Sequence, residues 1–236
     1  MKSSVFKFKE FDVRHGASAM KVGVDAVLLG TFAETTCTDA HVFDAGCGCG
    51  IVSMICAQRF PDATVEGMDI HLPSLCDALP NAVGANWYGR IRFLFGDCSE
   101  YFPKEKYDLV VSNPPFFDSG VVCHTSREYA RHCNDLSPEN LVRIAPRLLK
   151  HEGSLAIIYP SDRHIGILKE ARKNGLYPYR ILHVRGREGK TEKRVVTQFS
   201  FCDNRGCVES FLSIFDLNGC HTADYINLTK DFYLNF

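Results

Sequence analysis

His41-Val42-Phe43-Asp44-Ala45-Gly46-Cys47-Gly48-Cys49-Gly50-Ile51-Val52-Ser53-Met54-Ile55-Cys56-Ala57-Gln58 decides the fold. It reads as a strand, a tight loop and a helix. Glycines at 46, 48 and 50 let the backbone turn sharply and approach a ligand closely, and the helix that follows aims its first N–H groups at that ligand. The pattern is GxGxG without the full dinucleotide fingerprint, and Asp44 stands directly before it. An acid facing the loop repels a pyrophosphate but attracts a cationic amine or sulfonium. These residues argue against NAD and toward S-adenosylmethionine.

Downstream, three more strands end in polar residues. Residues 63–69 form a strand closing on Asp69, and an acid ~20 residues beyond such a loop hydrogen-bonds ribose hydroxyls. Capping of a helix that begins near Leu72 is the alternative. Residues 91–95 form a third strand, followed by Gly96-Asp97. Asp97 is expected to accept from the exocyclic amine of the cofactor's adenine, or else to cap a helix. The apolar run Tyr107-Asp108-Leu109-Val110-Val111-Ser112 delivers Asn113-Pro114-Pro115-Phe116. Two adjacent prolines cannot continue a paired strand, so the chain leaves the sheet in a rigid corner. That corner offers the Asn113 amide, the carbonyls of Asn113 and Pro114, and an aromatic face, a set suited to a planar group bearing an NH2. As a plain strand stop it would carry no chemistry. All four strand ends crowd one edge of a parallel sheet, where α/β proteins bind ligands.

The remaining chain supplies the frame. Gly23 and Asp25 start a short helix with Val24, Val27, Leu28 and Phe32 on one face, Lys21 and Asp25 flanking its entrance. Residues 73–88 read as a helix kinked or broken at Pro80 and Gly84. The polar loop over 117–132 has few core positions and reads as a binding element, with Arg127 and Arg131 as candidates for phosphates. A helix is expected from Ser137 through Lys150, ended by Gly153, then a fifth strand over 154–159. After a helix over 162–174 and a strand over 179–184, the charge-rich residues 185–194 read as a mobile linker. It is either a backbone clamp or simply solvated. Strands over 195–201 and 208–215 and a helix over 225–233 complete the chain.

With 236 residues, 45% hydrophobic and 23% charged, the chain is long enough for a substantial core, and one domain spanning 1–236 with a short N-terminal extension is expected. No apolar run reaches the ~18 residues of a membrane span, and the first ten residues alternate charge and aromatics rather than forming a signal sequence, so a cytoplasmic location is expected. Eleven scattered cysteines, several inside apolar elements (Cys56, Cys98, Cys202), argue for buried free thiols rather than a disulfide framework or a zinc ribbon, so no metal is expected. A net charge of −1 supplies no global field for a polyanion, so a nucleic acid would need a local patch.

The order of DAGCGCG at 44–50, Asp69, Gly96-Asp97 and NPPF at 113–116 resembles the amino-methylating branch of the class I S-adenosylmethionine-dependent methyltransferases. His15, MKVGVDAVLLG at 20–30, Asn113 to Phe117, REYAR at 127–131 and the tail DFYL at 231–234 are similar to the bacterial tRNA1(Val) adenine-37 N6-methyltransferase family across nearly the whole chain. Cys49 stands where that family usually has Thr or Ser, and Val24 where it favours Thr. The resemblance implies a Rossmann-like α/β fold with helices on both faces of a seven-stranded, mostly parallel sheet whose last strand is antiparallel. It implies methyl transfer from S-adenosylmethionine to N6 of an anticodon-loop adenine in tRNA by a monomer. Asn113, Pro114, Pro115 and Phe116 are the catalytic set it points to. Lys21, Asp25, Asp44, Gly46, Gly48, Gly50, Asp69, Asp97 and Asn113 would hold the cofactor, and Phe117, Arg127, Arg131, Lys190, Lys193 and Arg194 would meet RNA. A protein glutamine N5-methyltransferase, an rRNA guanine-N2 methyltransferase and a catalytically silent RNA-binding subunit are the alternatives.

Overall fold

The computed structural model describes residues 5–115, 136–203 and 206–236. Strands β3 (His41–Ala45), β4 (Thr64–Asp69), β5 (Ile91–Phe95), β6 (Tyr107–Ser112), β7 (Leu149–Pro160), β8 (Tyr177–Arg187), β9 (Glu192–Ser200) and β10 (Val208–Phe215) form one sheet. Its order is β10-β8-β9-β7-β6-β3-β4-β5. The strands β3 to β7 pair in parallel. β9 runs antiparallel to both of its neighbours, β7 and β8, while β10 is parallel to β8.

Helices α1 (Val24–Phe32), α2 (Ile51–Arg59), α3 (Leu72–Val83), α4 (Pro138–Leu148), α5 (His164–Lys173) and α6 (Ala223–Thr229) cover the sheet. Side chains alternate faces along each strand, so β3 sends Val42 into the core under α1 and α2 and Phe43 into the core under α4 and α5. Central strands buried on both faces read as continuous apolar runs, which is why these elements stand out in the sequence. A hairpin of β1 (Val5–Lys7) and β2 (Asp12–Arg14) joins the C-terminal tail through the Phe8–Tyr233 bridge and stacked rings.

Several expectations change. The described residues hold eight sheet strands rather than seven, because β10 adds at the edge after the antiparallel strand. The α4 helix stops at Leu148 instead of Lys150, and Gly153 lies inside β7. Leu149 already pairs with Tyr107, and a Cβ at Gly153 would meet the Tyr107 carbonyl oxygen at 2.7 Å, so this glycine serves close backbone approach across a bulge. Residues 73–88 are not one helix. α3 closes at Val83 with Gly84 as its cap, and a 3-10 turn follows at Tyr88–Arg90. α6 begins earlier and ends earlier than expected, its first turn capped by Thr222 Oγ1 accepting from Tyr225 N at 3.2 Å. The supposed linker 185–194 is mostly strand, an extension of β8 and β9 joined at a turn with Gly189 at φ 73°. Charge that looks like solvation in the sequence is paired across the hairpin: Arg185 with Glu192 at 3.2 Å and His183 with Glu192 at 2.9 Å. Cys56 and Cys98 are buried thiols, but Cys202 is exposed.

Candidate active site at the carboxyl ends of β3 to β6

The loop after β3 is held from both sides by backbone. Gly46 N and Cys47 N donate to Met68 O at 2.9 and 3.1 Å, and Gly50 N donates to Cys47 O at 2.8 Å. Gly46, Gly48 and Gly50 have φ of 71°, 56° and 81°, values open to glycine at no steric cost. Phe93 packs so closely beneath that a Cβ at Gly50 would meet its ring at 2.6 Å. Facing the loop from beyond the Asn113 corner is Leu136, which a Cβ at Gly46 would strike at 2.4 Å.

Both acids that flank the loop are structural as well as candidate ligands. Asp69 Oδ2 accepts from Gly48 N and Oδ1 from His71 N, both at 2.7 Å, so the acid spans the glycine loop and the entrance of α3. Asp44, only 1% exposed, sits under α2, its Oδ2 accepting from Ser53 N at 2.9 Å and Ser53 Oγ at 2.6 Å. It thereby satisfies first-turn donors that Gly50, the N-cap, cannot reach with a side chain. Burial pushes the Asp44 carboxyl up to about 7, the two Ser53 bonds opposing and the neighbouring Asp69 adding to the rise. Burial also raises Asp69, against the pull of its backbone donors. Two carboxyls reluctant to ionise at one loop form a site that gains from an incoming positive charge.

Asp97 closes a turn, its Oδ1 accepting from Ser99 N at 2.7 Å, and no helix follows it. At the end of β6, Ser112 Oγ donates to Ala45 O at 2.6 Å and locks this strand end to that of β3. Asn113 follows, and its Oδ1 is buried with no hydrogen-bond partner among the described residues. Pro114 is buried and Pro115 half-buried beside it. Such an acceptor is costly unless something donates to it.

The structure thus brings Asp44, Gly46, Gly48, Gly50, Asp69, Asp97, Asn113, Pro114 and Pro115 to one sheet edge. Lys21 and Asp25 lie at the same edge but are engaged locally: Lys21 Nζ donates to His15 O at 2.7 Å and Gly16 O at 3.2 Å, and Asp25 Oδ2 accepts from Arg194 Nε at 2.9 Å. Arg194 therefore braces β9 against α1, while Lys190 and Lys193 are exposed on the hairpin. Val24, expected on the apolar face of α1, is 38% exposed. Phe116, Phe117, Arg127 and Arg131 lie outside the described residues. Ser53 and Ser112 escaped the sequence reading because a serine in an apolar run signals nothing until its partner strand is known.

No helix among the described residues is long and apolar enough to cross a membrane, and none of their His, Cys, Asp and Glu side chains group in threes as a metal site. Residues 19–170 match the model of the methyltransferase small domain. A protein of Bacteroides thetaiotaomicron named tRNA1(Val) (adenine(37)-N6)-methyltransferase is 35% identical over 100% of this chain and 99% of its own. One of the same name from Actinobacillus succinogenes is 32% identical over 98% of each chain. Among solved structures, a "predicted O-methyltransferase" of Agrobacterium tumefaciens superposes with a TM-score of 0.69 at 19% identity, covering 88% of this chain and 96% of the other. The ribosomal protein L11 methylase of Lactobacillus delbrueckii does so with a TM-score of 0.56 at 16% identity, covering 80% of this chain and 83% of its own. The glycine loop, the strand-end acids and the full-length likeness agree, and the chain belongs to the methyltransferase small domain family, alongside relatives that carry the tRNA1(Val) (adenine(37)-N6)-methyltransferase name.

Proposed function

We propose that this methyltransferase transfers a methyl group from S-adenosylmethionine to N6 of adenine 37 in the anticodon loop of tRNA1(Val). The observation that carries the reading is Asn113 Oδ1, a buried acceptor with no donor among the described residues, beside a glycine loop and two acids that burial makes reluctant to ionise. An aromatic amine supplies the missing donor. Lacking such a group, the acceptor costs about 1 to 3 kcal/mol.

When bound, S-adenosylmethionine supplies an electrophilic methyl group on a cationic sulfur. The chain's own residues do the rest. Asp69 takes ribose hydroxyls and Asp97 the adenine edge of the cofactor, while Asp44 and the first turn of α2 set the charge beneath the loop. Asn113 Oδ1 and the Pro114 carbonyl accept from the target NH2 and turn its lone pair toward the methyl, with the adjoining prolines fixing both acceptors. Holding two reactants in line supplies on the order of 7 to 11 kcal/mol of the barrier, so positioning suffices without a covalent intermediate. A loop base is cheaper to unstack than one in a duplex, so an anticodon-loop adenine can reach the Asn113 corner at small cost. Lys190 and Lys193, at the sheet edge that carries Asn113, are the described cations offered to the RNA backbone. The enzyme works in this proposal as a cytoplasmic monomer, with no metal.

Methyl-labelled cofactor incubated with tRNA1(Val) transcript, followed by nucleoside analysis, tests the reading. Label is expected in N6-methyladenosine, lost by at least about a hundredfold in Asn113→Ala even at saturating cofactor. Label in protein rather than RNA, or full activity of Asn113→Ala, contradicts it.

A further inference from the structure

Residues 15–23, between β2 and α1, form no strand pairing, yet they lie across the glycine loop: a Cβ at Gly48 would sit 3.7 Å from Ser18 Oγ. What holds this strap is one face of α3. Asp77 Oδ2 accepts from both Ala17 N and Ser18 N at 2.8 Å. One turn earlier, Ser74 Oγ meets Ser18 Oγ at 3.2 Å, accepts from Ala19 N at 3.3 Å and is itself 2.7 Å from His71 Nδ1. One turn later, the buried Asn81 accepts from Arg14 N at 2.8 Å and donates to Arg14 O and Cys49 O, both at 2.9 Å. Ser74, Asp77 and Asn81, spaced three and four apart, thus form a polar rail that ties the strap to the same loop that Asp69 grips from the other side.

We infer that Asp77 is a positioning residue for the cofactor: its single oxygen, clamping two successive strap amides, sets where Ser18 and the strap around it lie over the glycine loop. The rail explains three polar residues on α3 that the proposed chemistry leaves unused. Asp77 itself is half-buried, and its hydrogen bonds go to the strap at Ala17 and Ser18, so its hold on the glycine loop passes through Ser18. A charge-assisted clamp of this kind is stronger than a neutral one, and its loss leaves the strap tied to α3 by the longer Ala19 N–Ser74 Oγ bond and the Ser18–Ser74 hydroxyl contact, a hold weak enough for it to leave the loop.

The inference rests on the cofactor assignment proposed above, and the test separates the two. Binding of S-adenosylmethionine to the wild-type chain is first measured by calorimetry; no binding refutes the assignment itself. With binding present, Asp77→Ala is expected to raise the cofactor KM about tenfold while kcat at saturating cofactor changes less than about twofold. Asp77→Asn, which keeps an amide-accepting oxygen, is expected to recover KM to within about threefold of wild type. Trypsin is expected to cut after Lys21 about tenfold faster in Asp77→Ala, and added cofactor to slow that cut. An Asp77→Ala variant with unchanged KM and unchanged cleavage, a loss confined to kcat, or an Asn variant as impaired as Ala overturns the inference.

Discussion

Replacing Asp44 with Asn gives the most quantitative test of the buried acid beneath the glycine loop. In the folded chain its carboxyl is pushed up from 3.8 to about 7 by burial, so the native state keeps a proton that the unfolded chain releases. Stability from this group is fully present below pH 3.8, falls as pH rises through the interval to about 7, and is flat above it. At about 1.4 kcal/mol per pH unit, the interval amounts to a penalty on the order of 4 kcal/mol at pH 8. Asn retains an oxygen for Ser53 N and Oγ but has no proton to lose. The variant should therefore be more stable than wild type at pH 8, by about 2 to 4 kcal/mol after relaxation, and the gap should close toward pH 4. Urea unfolding followed by circular dichroism at pH 5, 6, 7 and 8 measures it. Binding should move oppositely. A cationic cofactor favours the ionised acid, so wild-type affinity should rise as pH passes through about 7, and the variant should lose both the affinity and its pH dependence. A stability difference that does not change with pH, or a variant weaker than wild type at pH 8, would refute the reasoning.

Two further outcomes follow from the same geometry. Gly67→Ala should destabilise by about 1 to 3 kcal/mol in urea midpoint and weaken the cofactor, because the new Cβ would meet Phe93 at 2.7 Å and Cys47 Cβ at 2.9 Å, and combining it with Phe93→Leu should recover part of the loss. Replacing Lys190 and Lys193 together with Ala should leave stability unchanged but lower the slope of log affinity for tRNA against log salt by roughly one per lysine, as filter binding at several salt concentrations would show.

The central strands were legible because burial on both faces writes them as apolar runs. Tyr107 to Ser112 and Ile91 to Phe95 come out with their boundaries intact. The glycine loop was legible because alternating glycines have few other uses. What failed did so where meaning depends on a partner distant in sequence. Gly153 resembles a helix stop but serves a close pass against the Tyr107 carbonyl, and the charges of 185–194 resemble solvent exposure but pair across a hairpin. Asp69, expected as a ribose ligand or a cap, has a further role that depends on such partners: it holds the glycine loop and His71 together. The rail of Ser74, Asp77 and Asn81 was hidden because polar residues at helical spacing usually face water. Their signal is a helix with an apolar face at Leu75 and Ala78 whose adjoining polar face is buried at Ser74 and Asn81.

The antiparallel β9 also dictates the order in which the sheet can be assembled on the ribosome. β7 and β8 are not hydrogen-bonded to each other; each is completed only by β9, which is synthesised after both. A nascent chain can close β5-β4-β3-β6-β7 early, but it carries an open edge on β7 and an unattached β8 until residue 200 has emerged. Exposed strand edges of that kind recruit other chains, and long-range insertion of a strand is slow. Products interrupted between β8 and β9 should therefore be sticky, because a late step in making this enzyme is to fill a gap in the middle of its sheet before β10 extends the edge on β8.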